Sequence, residues 1–245
     1  MSALRALPIL LTLTAALPAA AQDSRGAGVE IATDEKRRGL SWSDGRMAAA
    51  ADVYASSGPV EASARLVSTR DSARHGGADM AADLQAGLVT DAGPFRLRGQ
   101  VTAHLFAGAR GRLDYAEVGA SGSYSLGPLQ IAASAIYAPD QSAIGGDNLY
   151  LHLGASAGIP ASPFTLSAAI GRSSGSTDDP LRAARLRPLG NYSDWRIGLD
   201  YIQTPFTLGV EYVGTDIDTR AFAPSPYADA RHSGDRLLAR VRIDF

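Results

Sequence analysis

Phe95-Arg96-Leu97-Arg98-Gly99-Gln100-Val101-Thr102-Ala103-His104-Leu105 is the stretch whose reading decides the fold. Phe95, Leu97, Gly99, Val101, Ala103 and Leu105 take alternate positions, with Arg96, Arg98, Gln100, Thr102 and His104 between them. Successive strand side chains point to opposite faces, so the segment reads as a β-strand with one apolar and one charged wall. Ala116, Val118, Ala120, Gly122, Tyr124 and Leu126 repeat the pattern against Glu117, Gly119, Ser121, Ser123 and Ser125. So do Leu149, Leu151, Leu153, Ala155, Ala157 and Ile159 against Tyr150, His152, Gly154 and Ser156. Helical periodicity is scarce after residue 22, and the expected class is all-β.

Working outward, a repeat frames these strands. Gly58-Pro59, Gly93-Pro94, Gly127-Pro128, Ser162-Pro163 and Thr204-Pro205 each precede an apolar residue that opens an alternating run. The prolines recur every 34–35 residues and then after 42, the length of one hairpin with its connections. Proline cannot donate to a ladder and belongs at turns or strand starts. Longer polar connections, such as 34–46, 69–77, 108–112, 139–147, 173–191 and 214–235, alternate with these tight turns. About twelve strands are expected, starting near Gly28, Met47, Val60, Ala78, Phe95, Asp114, Leu129, Asn148, Phe164, Tyr192, Phe206 and Arg236. Most approach the ~10 residues with which a tilted strand crosses a bilayer.

An even strand count, short turns at one end and long loops at the other make up the pattern of an up-and-down transmembrane antiparallel barrel. A soluble sandwich also alternates, but three features favour the barrel. The polar face is charged at strand centres, and the apolar face is sustained over whole runs. Aromatics gather at strand ends: Phe95, Phe164, Phe206 and Tyr201 near the tight-turn rim, Tyr137, Trp195 and Tyr212 toward the other. Ala49, Ala51, Ala62 and Ala64 make part of the expected lipid-facing wall only weakly apolar. The last strand closes the barrel with Leu237, Ala239, Val241, Ile243 and Phe245 on one face, and the terminal Phe245 resembles the signal read by the outer-membrane barrel assembly machinery.

Composition agrees with this class by exclusion. The 245 residues carry a formal charge of −2 and no cysteine, which excludes disulfides and thiolate metal sites. A mean hydropathy near zero excludes a polytopic helical membrane protein. The absence of a clustered basic surface argues against nucleic-acid binding. Met1–Ala21 has Arg5, an apolar run from Ala6 to Leu17, then Pro18 and Ala19-Ala20-Ala21, the layout of a cleaved export signal. The expected organisation is a signal peptide over 1–21 and a barrel domain over 22–245, placed in a bacterial outer membrane.

Alternation sends Arg65, Arg96, Arg98, Arg196, Arg240 and Arg242 into the lumen, together with Glu30, Asp52, Glu61, Asp83, Glu117, Asp200, Glu211 and Asp244. Mixed charge facing a lumen can form a selective constriction, or it can pair across strands and brace the interior. Twelve strands lie between the filled eight-stranded barrel and the open sixteen-stranded porin, so size leaves both open. Arg96 and Arg98 with Arg240 and Arg242 are candidates for an anion-attracting wall. Some barrels of this size hydrolyse lipid with Ser and His, but His104 and His152 fall on the lumen side, and His75 and His232 lie in loops. No Ser-His pair with an orienting partner stands out. Asp178-Asp179 and Asp216 with Asp218 read as solvated turn residues, with no calcium spacing and no metal or cofactor motif. Arg182, Arg185 and Arg187 make a basic loop that could meet anionic lipopolysaccharide or fold into the pore mouth; a solvated loop is the expected state.

The first loop carries a resemblance. It reads Thr33-Asp34, then Arg38-Gly39-Leu40-Ser41, Ser43-Asp44, and Asp52 before Ser57-Gly58. It resembles the opening of the TorF-type porins of proteobacteria, whose first strand leads into an Arg-Gly-[Ile/Leu]-Ser turn. Tyr150 to Ser156 and Tyr192-Ser193-Asp194-Trp195-Arg196-Ile197-Gly198 are similar to later segments of that family. Glu35 stands where an aromatic is usual, and Pro59-Val60-Glu61-Ala62-Ser63-Ala64 replaces a Gly- and Trp-containing segment, which places the chain on a distant branch. The resemblance implies a barrel and a pore, with no catalytic residues. The expected function is therefore passive passage of small hydrophilic solutes or ions, with a lipid-acting barrel enzyme or a plugged structural or adhesive barrel as alternatives. Expected partners are outer-membrane lipid and lipopolysaccharide, the assembly machinery and small solutes; the sequence leaves the oligomeric state open.

Overall fold

The computed structural model describes residues 23–220, 225–228 and 231–245; the expected signal peptide lies outside the described residues. In chain order the strands are β1 (Ser24–Ala32), the two-residue β2 (Lys36–Arg37) and β3 (Leu40–Ser41), β4 (Ala48–Ser57), β5 (Val60–Ser72), β6 (Ala78–Ala92), β7 (Phe95–Ala107) and β8 (Tyr115–Leu126). They continue with β9 (Leu129–Gln141), β10 (Gly146–Gly158), β11 (Phe164–Ser174), β12 (Tyr192–Gln203), β13 (Phe206–Thr215) and β14 (Arg236–Asp244). A 3-10 turn (Ala73–His75) and a single-turn helix α1 (Pro180–Ala183) punctuate the loops.

All strands but β2 and β3 form one closed antiparallel barrel in the order β1-β14-β13-β12-β11-β10-β9-β8-β7-β6-β5-β4. Closure comes from β1 against β14, with Val29 opposite Ile243 and Ile31 opposite Val241. No edge is left unpaired, which is what lets a sheet sit in hydrocarbon. Eight expected strand starts coincide with the observed ones; β1 begins four residues earlier than expected, at Ser24.

The tight turns form as their residues dictate. Gly58, Gly93 and Gly127 take φ of 58°, 62° and 57° at the first central position of two-residue loops, with proline second. That is the geometry of a type II′ hairpin turn, whose first position favours glycine and whose twist matches the flanking strands. These turns share one rim with the start of β1 and the end of β14, here the turn end. The six longer connections share the other, the loop end.

The outer wall is apolar: Leu97, Val101, Val118, Leu153 and Ile197 all stand about half exposed, as side chains meant for lipid do. Rim aromatics pair on that surface, Phe95 with Tyr124 at 4.9 Å and Phe164 with Tyr201 at 5.4 Å. The core sits elsewhere than alternation implies. Inside the loop end, Trp42, Phe106, Leu113, Tyr115, Ile144 and Leu186 pack into one buried cluster. Near the loops the lumen is therefore filled by apolar side chains.

Candidate functional site in the barrel lumen

The first loop turns inward because its own polar groups are satisfied there. Asp34 Oδ1 accepts hydrogen bonds from the Ser41 and Ser43 hydroxyls at 2.6 and 2.8 Å, folding the loop into a knot. Its burial raises the carboxyl pKa, an effect those hydroxyl bonds only partly offset. Within the knot β2 and β3 pair across a turn in which Arg38 and Gly39 hold φ of 51° and 74°. Gly39 fits against the wall so closely that a Cβ there would lie 2.3 Å from Thr215 Cγ2 and 2.9 Å from Asp194 Cβ.

The tip of this hairpin spans the lumen. Arg37 reaches Asp83 on β6 at 2.5 Å, and Arg38 reaches Glu117 on β8 at 2.7 Å. Between those carboxylates sits His104 of β7, with Nδ1 2.7 Å from Asp83 and Nε2 3.2 Å from Glu117. The ring thus lies between two carboxylates, one at each nitrogen. The result is a chain of alternating basic and acidic side chains: Arg37, Asp83, His104, Glu117, Arg38. The Arg37 guanidinium also covers Trp42 at 3.9 Å, and that of Arg38 covers Tyr150 at 4.7 Å. Tyr192 donates its hydroxyl hydrogen to the Arg38 carbonyl at 2.9 Å. Burial works against the charge on Arg38, but the Glu117 carboxylate beside it holds the guanidinium pKa above its ordinary value.

Toward the loop end the remaining loops lock over the hairpin. Arg74 and Arg185 are both almost fully buried and donate to backbone carbonyls. Arg74 donates to Ser41 O at 3.0 Å and to Arg185 O. Arg185 donates to Arg74 O at 3.1 Å, Leu113 O at 2.9 Å and Ala143 O at 2.6 Å, tying three loops together. Burial lowers the Arg185 pKa to about 10. His75, also buried, stacks on Phe106 at 4.6 Å with its pKa pushed well below the ordinary value by that burial. The expectation of a solvated basic loop is thus corrected for Arg185 and Arg187: Arg185 donates to carbonyls of three neighbouring loops, and Arg187 to Gly175 O in its own loop and Asp147 O on β10. Asp179 likewise caps α1, accepting from Leu181 N and Arg182 N.

Toward the turn end the lumen keeps the expected charges and pairs them. Arg65 contacts Glu30 at 2.8 Å, Glu35 at 3.2 Å and Asp52 at 3.5 Å. Arg96 and Arg98 converge on Glu61 at 2.8 and 3.3 Å, and Arg196 meets Glu211 at 3.5 Å. Arg240 binds Asp200 at 2.8 Å and lies 3.6 Å from Glu30, while Arg242 bridges Asp52 and Asp244 at 2.6 and 2.8 Å. The arginines proposed as a single wall are not neighbours. Five strand steps separate β7 from β14 around the twelve-stranded ring, so Arg96 and Arg98 lie nearly opposite Arg240 and Arg242. His152 lines a separate inward cavity of about 200 Å³ beside Ser134 and Gln100. Sequence reading missed Arg37, Arg38, Trp42 and Arg74 as interior residues. The one signal that could have exposed them is the density of Asp, Ser and Gly in the first loop, the residue types that build a self-bonded turn.

Three comparisons with known proteins bear on this site. A family model described as a bacterial protein of unknown function (Gcw_chp) matches residues 18–242. No curated protein matches the chain. Among solved structures, the KdgM porin is similar at a TM-score of 0.56 with 8% identity, covering 91% of this chain and 99% of that one. The NanC porin is similar at 0.55 with 13% identity, covering 92% and 99%. At such identities the likeness is one of fold: a closed porin-like barrel.

Proposed function

We propose that this chain, which belongs to the Gcw_chp family of bacterial proteins of unknown function, is a porin-like channel of the outer membrane that passes small hydrophilic solutes or ions through a lumen narrowed by its first loop. The observation that carries the reading is the contrast between an apolar outer wall and an interior lined by ionised side chains over its turn-end portion. Such a barrel offers water and charge to a solute while presenting hydrocarbon to lipid. The resemblance of the first loop to the TorF-type porins supports it, with a cleaved signal peptide ending at Ala21, surroundings of lipid and lipopolysaccharide, and assembly through Phe245. Reconstitution of the refolded chain into planar bilayers tests it: discrete conductance steps are expected, and a folded barrel that never conducts overturns it. The loop-end cap built on Arg74 and Arg185 favours a second reading, a closed structural barrel, which that null result would leave standing.

A further inference from the structure

We infer that the turn-end half of the lumen selects small oxyanions, carboxylates or phosphates, through arginines that stand forward of their acidic partners. The inference rests on the channel reading and names its substrate class. Formal charge does not decide the sign, because acids and arginines are nearly matched in number along this wall. Position does. In three inward pairs the arginine side chain is about twice as exposed as the carboxylate it binds, Arg96 at 53% against Glu61 at 22%, Arg196 at 50% against Glu211 at 27%, and Arg240 at 40% against Asp200 at 20%, while at the turn rim Asp91 and Asp244 are more exposed than Arg96 and Arg242.

The cause is geometric. Asp and Glu side chains are short and stay near the sheet, whereas the long arginine stem carries its head toward the axis. Both oxygens of Asp200 accept from one Arg240 nitrogen, at 2.8 and 2.9 Å, which leaves that acid occupied and Arg240 with N–H groups to spare. Arg196 holds Glu211 through Nη1 at 3.5 Å, leaving most of its fork toward water. Gly209 makes room for this: a Cβ there would come within 2.5 Å of both Arg240 Nε and Asp200 Oδ1. Arg65, Arg196, Arg240 and Lys36 border one cavity of about 160 Å³, shared with Glu30, Asp34, Glu35 and Glu211. Arg96, on β7, faces this group from the other side of the ring. Inside the rim carboxylates Asp91 and Asp244, a passing solute therefore meets forked N–H donors ahead of Glu61, Glu211 and Asp200, and carboxylate or phosphate oxygens match that fork.

The test is the reversal potential of the full chain in planar bilayers under a steep KCl gradient, with tripolyphosphate then added from the turn side. Chloride preference and block by tripolyphosphate are expected; potassium preference overturns the inference. The double variant R196Q/R240Q is expected to lower the chloride-to-potassium permeability ratio about threefold, since removing lumen charge is how such pores lose selectivity; an unchanged ratio overturns it. Should that variant fail to fold, Glu211→Gln alone is expected to raise the ratio, and no rise counts against the inference. If no current appears, the channel reading fails separately. Calorimetric titration of tripolyphosphate into the folded barrel then decides the anion surface: saturable binding weakened by Arg196→Gln supports it, and absence of binding overturns it.

Discussion

Arg38, carried on a loop that leaves β1, lies 2.7 Å from Glu117 on β8, five strands away around the ring and therefore across the barrel. One ion pair thus fixes the first loop to the far wall. Glu117 is nearly inaccessible, so its charge is matched by Arg38, with the His104 ring beside it, rather than by water.

Arg38→Ala is expected to free the hairpin tip. Removing one partner of a buried pair costs about 3–5 kcal/mol, and with His104 still bound to Glu117 the lower end, about 3 kcal/mol, applies. Urea unfolding of the barrel in lipid vesicles should show the loss, and single-channel recording a larger conductance. Unchanged values in both would mean that the hairpin is held by other contacts.

Gly39→Val tests the same element without touching a charge. The left-handed backbone at Gly39 costs a β-branched residue about 1–2 kcal/mol, and its side chain would collide with Thr215 and Asp194. The hairpin should move off β12 and β13 while the barrel persists. Faster cleavage by added protease within residues 33–47, with retained heat-modifiable migration on gels, is the expected result; wild-type resistance to cleavage contradicts it.

Hairpin seating should depend on pH through Lys36, whose burial lowers its pKa from 10.5 to about 8 while its Nζ donates to Gly234 O at 2.9 Å. A lysine freed into water stays protonated up to its ordinary value, so the released state binds more protons between pH 8 and 10.5. Seating therefore tightens as pH rises through that window, by a few kcal/mol at most on a scale of about 1.4 kcal/mol per pH unit. Protease resistance of the first loop should rise from pH 8 to 10.5 in the wild type, and stay flat in Lys36→Met. A rise of equal size in the variant would assign the effect to another group.

Val101→Arg and Ser134→Arg separate the two faces of the wall. Val101 is outward and about half exposed on β7, whereas Ser134 borders the inward cavity of about 200 Å³. An arginine on the lipid face near mid-height costs about 2–4 kcal/mol, and a lumen position tolerates it. Folding yields into vesicles should fall for Val101→Arg and hold for Ser134→Arg. Equal yields would argue against a lipid-facing outer wall.

Much of this architecture was readable from residue order. The alternation over 95–105 places Val101 outward and His104 inward, as observed, because a strand has only two faces and one was strongly apolar. The Gly-Pro turns located their strands to the residue, since a glycine at positive φ followed by proline closes such a two-residue loop. The inward positions of Arg65, Arg96, Arg98, Arg196, Arg240 and Arg242 follow from the same parity. Their partners do not. Parity gives a face and no register, so Arg65 meeting both Glu30 on β1 and Glu35 in the first loop required the folded chain.

The sequence by itself determined an all-β chain of about twelve alternating strands, with its turn end, its loop end and its two walls, because strand periodicity is a local property written every second residue. Only the tertiary structure decided what fills the barrel. The first loop folds inward, Arg37 and Arg38 find Asp83 and Glu117, and Arg74 and Arg185 exchange backbone carbonyls across 111 residues of chain. These are contacts between groups remote in sequence, each stable only where burial leaves a charge or a carbonyl no partner but another part of the chain. No local pattern encodes which partner that is.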